Sequence, residues 1–273
     1  MESRIQRRIQ RYGWDLAAID YELLWQSQLA DVQAMMLTQA NVSLGNDVLD
    51  LACGTGLVTL RAARAVGPSG SVTGVDLSGK MIDVARKHSQ ELGLSNLRFE
   101  RMDGESLELP DASFDVAMCA LGLMYMPEPE LALREMVRVL RPGGRISLAV
   151  WGERSQCGWS SLFPIVDAEV ASDVCPLFFR LGQLDTLEKL CEDAALETVQ
   201  QTRIATKLKY ANAEEACIAS FAGGPVALAW SRFNDEVRRR VQNKYVESIQ
   251  PWRKGEGFEI PSEFLVLLAN KKL

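Results

Sequence analysis

Tyr21, Trp25, Leu29, Val32 and Met36 recur at the three- and four-residue spacing of one helix face and predict a helix from Leu16 to Ala40. Something must cover that face. After the turn-rich break Asn41 to Asp47 the pattern changes to short runs of β-branched and apolar residues: DVLDLAC at 47–53, SVTGVDL at 71–77, NLRFERM at 96–102, FDVAMCAL at 114–121 and GRISLAVW at 144–151. These runs read as strands. Helical spacing fills 57–66, 80–92 and 128–140 between them. Near-continuous apolar strands alternating with helices predict a parallel sheet covered on both faces.

Beyond Trp151 the alternation breaks down. The stretch to Gly182 is loop-rich and carries Trp159, Phe163, Phe178 and Phe179, and a helix is expected over 184–195. Residues 197–210 alternate as a strand, 213–249 read as helices broken at Gly223-Gly224-Pro225, and 258–271 close the chain as an apolar strand. The two late strands are expected to join the sheet. No internal repeat or linker-like tract separates independent domains.

Composition narrows the function classes. The 273 residues are 47 % apolar and 24 % charged, as in an ordinary globular protein with a full core. Thirty basic against 36 acidic residues leave a net charge of −6, which argues against a nucleic-acid partner and makes a small molecule the default ligand. The N-terminal stretch lacks the apolar core of a signal peptide and no run is long enough for a membrane span, so a cytoplasmic protein is expected. Six scattered cysteines without a CxxC pair signal neither zinc nor a redox dithiol. The single histidine, His88, shares a helix face with Met81, Ala85 and Leu92 and reads as a packing residue. No metal site is expected.

The chemistry concentrates where strand 47–52 runs into Asp50-Leu51-Ala52-Cys53-Gly54-Thr55-Gly56. A Gly-x-Gly turn there lets backbone approach a ligand and aims helix N–H groups at it. The third glycine of a dinucleotide fingerprint is missing, because its position is Thr59. Twenty residues beyond Gly56 the second strand ends at Asp76, whose carboxylate can accept from both hydroxyls of an adenosine ribose. It can equally cap the helix that follows.

The runs VLDLACGTG at 48–56, VTGVDLS at 72–78, MDGESLELPDASFD at 102–115 and RVLRPGGRI at 138–146 resemble the class I S-adenosylmethionine-dependent methyltransferases, in the subgroup of the ubiquinone/menaquinone C-methyltransferases. The resemblance covers about residues 45–151. It implies an α/β fold with a doubly wound, Rossmann-like, seven-stranded, mostly parallel sheet, N-terminal helices and a helical cap. Residues 1–44 would form a helical lid, 45–151 the cofactor-binding core, and 152–273 the remaining strands with cap insertions.

The same resemblance implies that Asp50 holds the methionine ammonium through water, that Gly54 and Gly56 admit the amino-acid tail and ribose, and that Asp76 clamps the ribose. Leu77 and Met81 would flank the adenine, with Asp103 accepting from its exocyclic amine and Gly104 beside the ring. Ala120 and Leu121 would contribute backbone near the sulfonium, and Trp25, Ala52, Cys53 and Thr55 complete the cofactor set. Leu77 and Met81 also fit a plain core, and Arg141-Pro142-Gly143-Gly144 a helix stop with a tight turn. Arg4, Arg7, Arg8 and Arg11 read as a solvated helix face.

Methyl transfer from a sulfonium needs chiefly an in-line nucleophile, so no metal is required on this reading. If the acceptor needs a base, the candidates are Tyr12, Asp15, Tyr21 and Tyr125. The aromatic residues Trp159, Phe163, Phe178, Phe179, Phe221, Trp230, Phe233 and Trp252 suit a small apolar or aromatic methyl acceptor. The acceptor atom and the oligomeric state stay open. Two alternatives are a non-catalytic S-adenosylmethionine-binding protein and a nicotinamide-dependent oxidoreductase; the latter does not explain Asp103 and the LPDASFD run after it.

Overall fold

The computed structural model describes residues 3–171, 175 and 177–272. Two N-terminal helices, α1 (Ser3–Ala17) and α2 (Tyr21–Gln39), precede β1 (Asp47–Leu51), α3 (Thr59–Val66), β2 (Ser71–Asp76), α4 (Gly79–Glu91) and β3 (Leu97–Arg101). The core continues through β4 (Phe114–Ala120), α5 (Pro129–Val139) and β5 (Leu140–Trp151). Beyond it lie α6 (Leu162–Asp167), α7 (Thr186–Asp193), β6 (Leu196–Tyr210), α8 (Ala213–Phe221), α9 (Ala227–Arg232), α10 (Asp235–Ile249), β7 (Arg253–Lys254) and β8 (Gly257–Lys271).

The sheet order is β3-β2-β1-β4-β5-β8-β6. Neighbours from β3 to β5 are parallel, and β8 alone among the long strands runs antiparallel, to both β5 and β6. This is the sheet covered on both faces that the alternation of strands and helices predicts, in the doubly wound, mostly parallel form that the family resemblance implies. Val48, Leu49, Leu51, Val116, Ala117 and Met118 are all buried, as expected for central strands covered on both faces. The order reverses between β1 and β4, which opens a crevice outside their carboxyl ends.

Three local features differ from the sequence reading. The helix expected from Leu16 to Ala40 is two helices, separated at residues 18–20. Trp25, Leu29, Val32 and Met36 do form the buried face of α2, whereas α1 buries Gln6, Gln10, Gly13 and Ala17. Apolar periodicity could not reveal a helix whose inner face is polar or small.

The fifth strand starts at Leu140, not Gly144, because Leu140 pairs with Phe114 ahead of an irregularity in the register. Arg141 is fastened there to Asp47 at 2.9 Å and Asp115 at 2.7 Å. Gly143, at φ +74°, supplies the left-handed residue that this bend requires. Third, the two-residue β7 adds a short antiparallel partner to β8.

The described cysteines are all buried and unpaired in disulfides. Among the described residues no helix is long and apolar enough to cross a membrane.

Candidate functional site

β1 and β4 end in strained backbone that faces the crevice. Ala52, just after β1, and Leu121, just after β4, hold φ of +57° and +60°, a region non-glycine residues rarely adopt. Gly122 permits the close approach of the two ends, since a Cβ there would stand 2.3 Å from that of Ala52. Gly54 has φ +55° and its missing Cβ would meet nothing within 4 Å, so the turn presents bare backbone to open space.

A cavity lies over these strand ends. Its wall contains Ala52, Gly54, Asp76, Leu77, Met81, Asp103, Gly104, Ala120 and Leu121, which come from four strand ends. The carboxylate of Asp76 accepts from the Gly54 N–H at 2.8 Å through one oxygen and from the Ser78 N–H at 2.8 Å through the other. Each oxygen keeps a lone pair for a ligand hydroxyl. The helix cap of α4 is Ser78, whose hydroxyl accepts from Met81 N–H at 3.1 Å, so capping does not occupy Asp76. Asp103 turns one oxygen to the Glu105 N–H at 3.0 Å, and its other oxygen lies 3.3 Å from Arg7.

Asp50 sits behind this wall, almost completely buried. One oxygen accepts from the Thr59 hydroxyl at 2.5 Å; the other has no hydrogen-bond partner. Burial pushes its carboxyl up to about 7, with the nearby Asp76 charge adding to the rise. Asp76 itself is pushed up to about 6, again by burial first, while its backbone N–H partners oppose the shift. Asp76 thus stands at the mouth of the glycine turn with Asp50 buried behind it, and a cation bound there would favour the ionised form of both. Such a donor set fits S-adenosylmethionine, which carries a cationic ammonium, two ribose hydroxyls and an adenine amine.

Several residues in the expected set take other places. Cys53, Thr55 and Gly56 are buried beside the turn and do not line the cavity, while Trp25 lines a neighbouring chamber. Tyr12 is exposed on α1 and faces neither space. Asp15 is turned to α4, accepting from the Ser78 hydroxyl at 2.6 Å and the Lys80 N–H at 3.2 Å. Tyr21 and Tyr125 do border the cavity, but burial holds both phenols well above the usual tyrosine range, so they keep their protons at neutral pH. They are donors and walls, not ready bases.

Some lining residues were not anticipated. Arg7, read as part of a solvated face, reaches inward from α1 to the buried Glu105 carboxylate, whose other oxygen accepts from the Glu128 N–H at 2.6 Å. Gln10 and Trp14 of the same helix face complete the roof. The partners of Arg7 lie 98 residues away, and no local pattern signals such a pair. His88 stands apart on α4, its Nδ1 3.2 Å from the Glu22 carboxylate.

A second chamber shares Trp14, Tyr21, Leu121 and Tyr125 with the first. Its remaining walls include Trp25, Trp151, Trp159, Phe178 and Tyr210, and no charged residue lines it among the described residues. Tyr125 packs edge-on against Trp14 at 5.0 Å and Phe178 at 5.3 Å between ring centroids. Trp25 spans the chamber's edge, its indole N–H donating to the Gly223 carbonyl at 2.9 Å. Two residues of this wall carry a polar atom, Trp159 Nε1 and the Tyr210 hydroxyl, that is buried without a hydrogen-bond partner among the described residues.

The Methyltransferase domain family matches residues 48–144, which include the glycine turn, Asp76 and Asp103. The ubiquinone/menaquinone biosynthesis C-methyltransferase UbiE of Azotobacter vinelandii is 35 % identical over 192 residues, 69 % of this chain and 74 % of that protein. The chain belongs to the UbiE-like S-adenosylmethionine-dependent methyltransferases. The corresponding enzyme of Ectopseudomonas mendocina is 36 % identical, over 69 % of this methyltransferase and 73 % of its own length.

Among solved structures, a putative methyltransferase from Bacillus halodurans superposes with a TM-score of 0.65 at 19 % identity, covering 88 % of this chain and 99 % of that one. The [4+2]-cyclase SpnF superposes with a TM-score of 0.62 at 24 % identity, covering 91 % and 83 %. Both share the methyltransferase's fold. Since one of them is a cyclase, the fold alone does not fix the reaction.

Proposed function

We propose that this methyltransferase holds S-adenosylmethionine across Gly54, Asp76 and Asp103 and passes its methyl group to a hydroxylated aromatic ring seated in the adjoining chamber. The observation that carries this reading is the shared wall: Trp14, Tyr21, Leu121 and Tyr125 border both spaces, so a donor in one and an acceptor in the other meet there. In the proposed arrangement Asp76 takes the ribose hydroxyls, Asp103 the adenine amine and the Asp50 side the methionine ammonium. Leu77 and Met81 flank the base. Bound there, S-adenosylmethionine supplies a methyl group already activated as an electrophile.

The chamber's part is to dry, orient and confine the acceptor. Among the described residues its lining holds no carboxylate or imidazole, so an acceptor that is nucleophilic by itself suits it best. An electron-rich hydroquinone ring would meet that demand at carbon: the carbon–carbon bond forms as the sulfur–methyl bond breaks, S-adenosylhomocysteine leaves as the neutral thioether, and the ring proton is then lost to water as the site opens. Relatives named for ubiquinone and menaquinone biosynthesis support the same class. Holding the two reactants in line can supply about 7 to 11 kcal/mol of the barrier reduction. The unpartnered Trp159 N–H and Tyr210 hydroxyl are suited to donate to the ring's oxygens, and burial keeps the Tyr210 proton in place.

Transfer of radiolabelled methyl from S-adenosylmethionine to 1,4-naphthohydroquinone, with naphthalene as the oxygen-free control, tests this reading. Tyr210→Phe removes only a buried, unpaired hydroxyl, so its stability should equal or exceed that of the parent by up to about 1 kcal/mol. Its KM for the hydroquinone should nevertheless rise about 3- to 10-fold, the cost of one neutral hydrogen bond. An unchanged KM would detach Tyr210 from the acceptor, and absence of transfer to any hydroquinone would remove the proposed substrate class.

A further inference from the structure

Helix α1 is folded inside out. Its buried face carries Gln6 and Gln10, 8 % and 6 % exposed, while Ile5, Tyr12 and Leu16 are 45 %, 40 % and 48 % exposed on the opposite side. The spacing 5, 12, 16 keeps these three in one stripe. In the turn that follows and the first turn of α2, Ile19 and Leu23 are each 85 % exposed. Elsewhere the exposed large apolar residues are scattered along the chain; here five fall in nineteen consecutive positions.

Basic side chains flank the same stripe. Arg4, Arg8 and Arg11 lie along one edge of it on α1 and, with Arg7 and Arg101, form a shallow basic concavity. The guanidinium groups of Arg8 and Arg11 lie 5.8 and 5.1 Å from the Tyr12 ring centroid. Arg7 is engaged by Glu105, and Arg11 stands 3.9 Å from Asp15. Arg4, Arg8 and Arg101 form no ion pair among the described residues. An arginine cluster beside an apolar stripe, on a chain whose net charge is −6, is a local reversal of the protein's overall sign.

We propose that the outer face of α1, together with the turn into α2, docks on an anionic lipid bilayer. The arginines would meet lipid phosphates while Ile5, Leu16, Ile19 and Leu23 enter the boundary between headgroups and acyl chains, as in interfacial amphipathic helices. Five such side chains offer too little area for a stable dimer, which needs about 800 Å² from each partner. The inner side of the same helix supplies Arg7, Gln10 and Trp14 to the cofactor cavity. A helix about 10 Å across would therefore separate the membrane surface from the reaction space. The proposal concerns the outer face alone and does not depend on which acceptor occupies the chamber.

Cosedimentation of the full chain with phosphatidylcholine vesicles, with and without added phosphatidylglycerol, tests it. Binding should be at least about tenfold tighter to the anionic vesicles and should weaken as salt is raised. Arg4→Gln with Arg8→Gln should lose roughly 30-fold on anionic vesicles, about fivefold for each charge. Ile19→Ser with Leu23→Ser should lose at least about tenfold through lost insertion. Equal binding to both vesicle types, or variants that bind like the parent, would overturn the proposal. So would a concentration-dependent dimer that Ile19→Ser with Leu23→Ser abolishes, because a second copy would then cover this face.

Discussion

Asp76→Ala is expected to weaken S-adenosylmethionine binding by about 10- to 1,000-fold, the largest loss of any single substitution in the cofactor cavity. Two charge-assisted hydrogen bonds to the ribose, each worth about 1.5 to 3 kcal/mol before water replacement is counted, set that range. Asp76 also holds the Gly54 N–H at 2.8 Å, so its removal loosens the glycine turn as well as the ribose contact. Asp76→Asn separates the two effects, because the amide can keep one acceptor oxygen on the Gly54 N–H but loses the charge. Asp103→Asn should cost less than Asp76→Ala, since its carbonyl still faces the adenine amine. Calorimetric titration with S-adenosylmethionine checks the order, and the reverse order would mean that ribose and base have been assigned to the wrong ends of the cavity.

Affinity for S-adenosylmethionine should rise by up to about 1,000-fold between pH 5 and pH 8. In the unliganded protein burial raises Asp50 to about 7 and Asp76 to about 6, so both hold protons at pH 5. An ammonium and a sulfonium favour the ionised carboxylates, and binding below these values must expel protons at a cost of about tenfold per pH unit for each group. Titration at pH 6 in two buffers of different ionisation enthalpy should therefore register proton release. Asp50→Asn should flatten the profile around pH 7.

Stability of the unliganded protein should move the other way. The folded carboxyls bind protons more tightly than the usual value of 3.8, so their contribution is fully present below that value and is lost as pH rises through about 6 to 7. Saturating S-adenosylmethionine should offset the loss. A pH-independent affinity would place the ligand's positive charge away from Asp50 and Asp76.

The part of the site nearest the sheet was legible because local rules govern it. A β-branched run into Gly54-Thr55-Gly56, and a strand ending at Asp76, need only strand period and turn chemistry to be recognised. The roof was less legible. α1 shows no apolar face toward the core, and Arg7 finds Glu105 and Asp103 only through the tertiary fold. Tyr12 and Asp15 looked like possible bases by residue type and position; the helix turns one to solvent and the other onto Ser78.

The acceptor chamber illustrates the same limit. Aromatic richness beyond Trp151 could be read, yet Trp14, Trp151, Trp159 and Tyr210 converge only when β5, β6 and the N-terminal helices pack together. Nothing in their local sequence marks Trp159 Nε1 and the Tyr210 hydroxyl as polar atoms without partners.

A crystal structure with S-adenosylhomocysteine bound would decide whether the cofactor lies across Asp76 and Asp103 with its sulfur at the shared wall. Both ribose hydroxyls should lie on the Asp76 carboxylate, the adenine amine at Asp103, and the sulfur beside Leu121 and Tyr125, facing the aromatic chamber. A nucleoside lodged among Trp25, Trp151 and Phe178, or a ribose that makes no contact with Asp76, would contradict this placement.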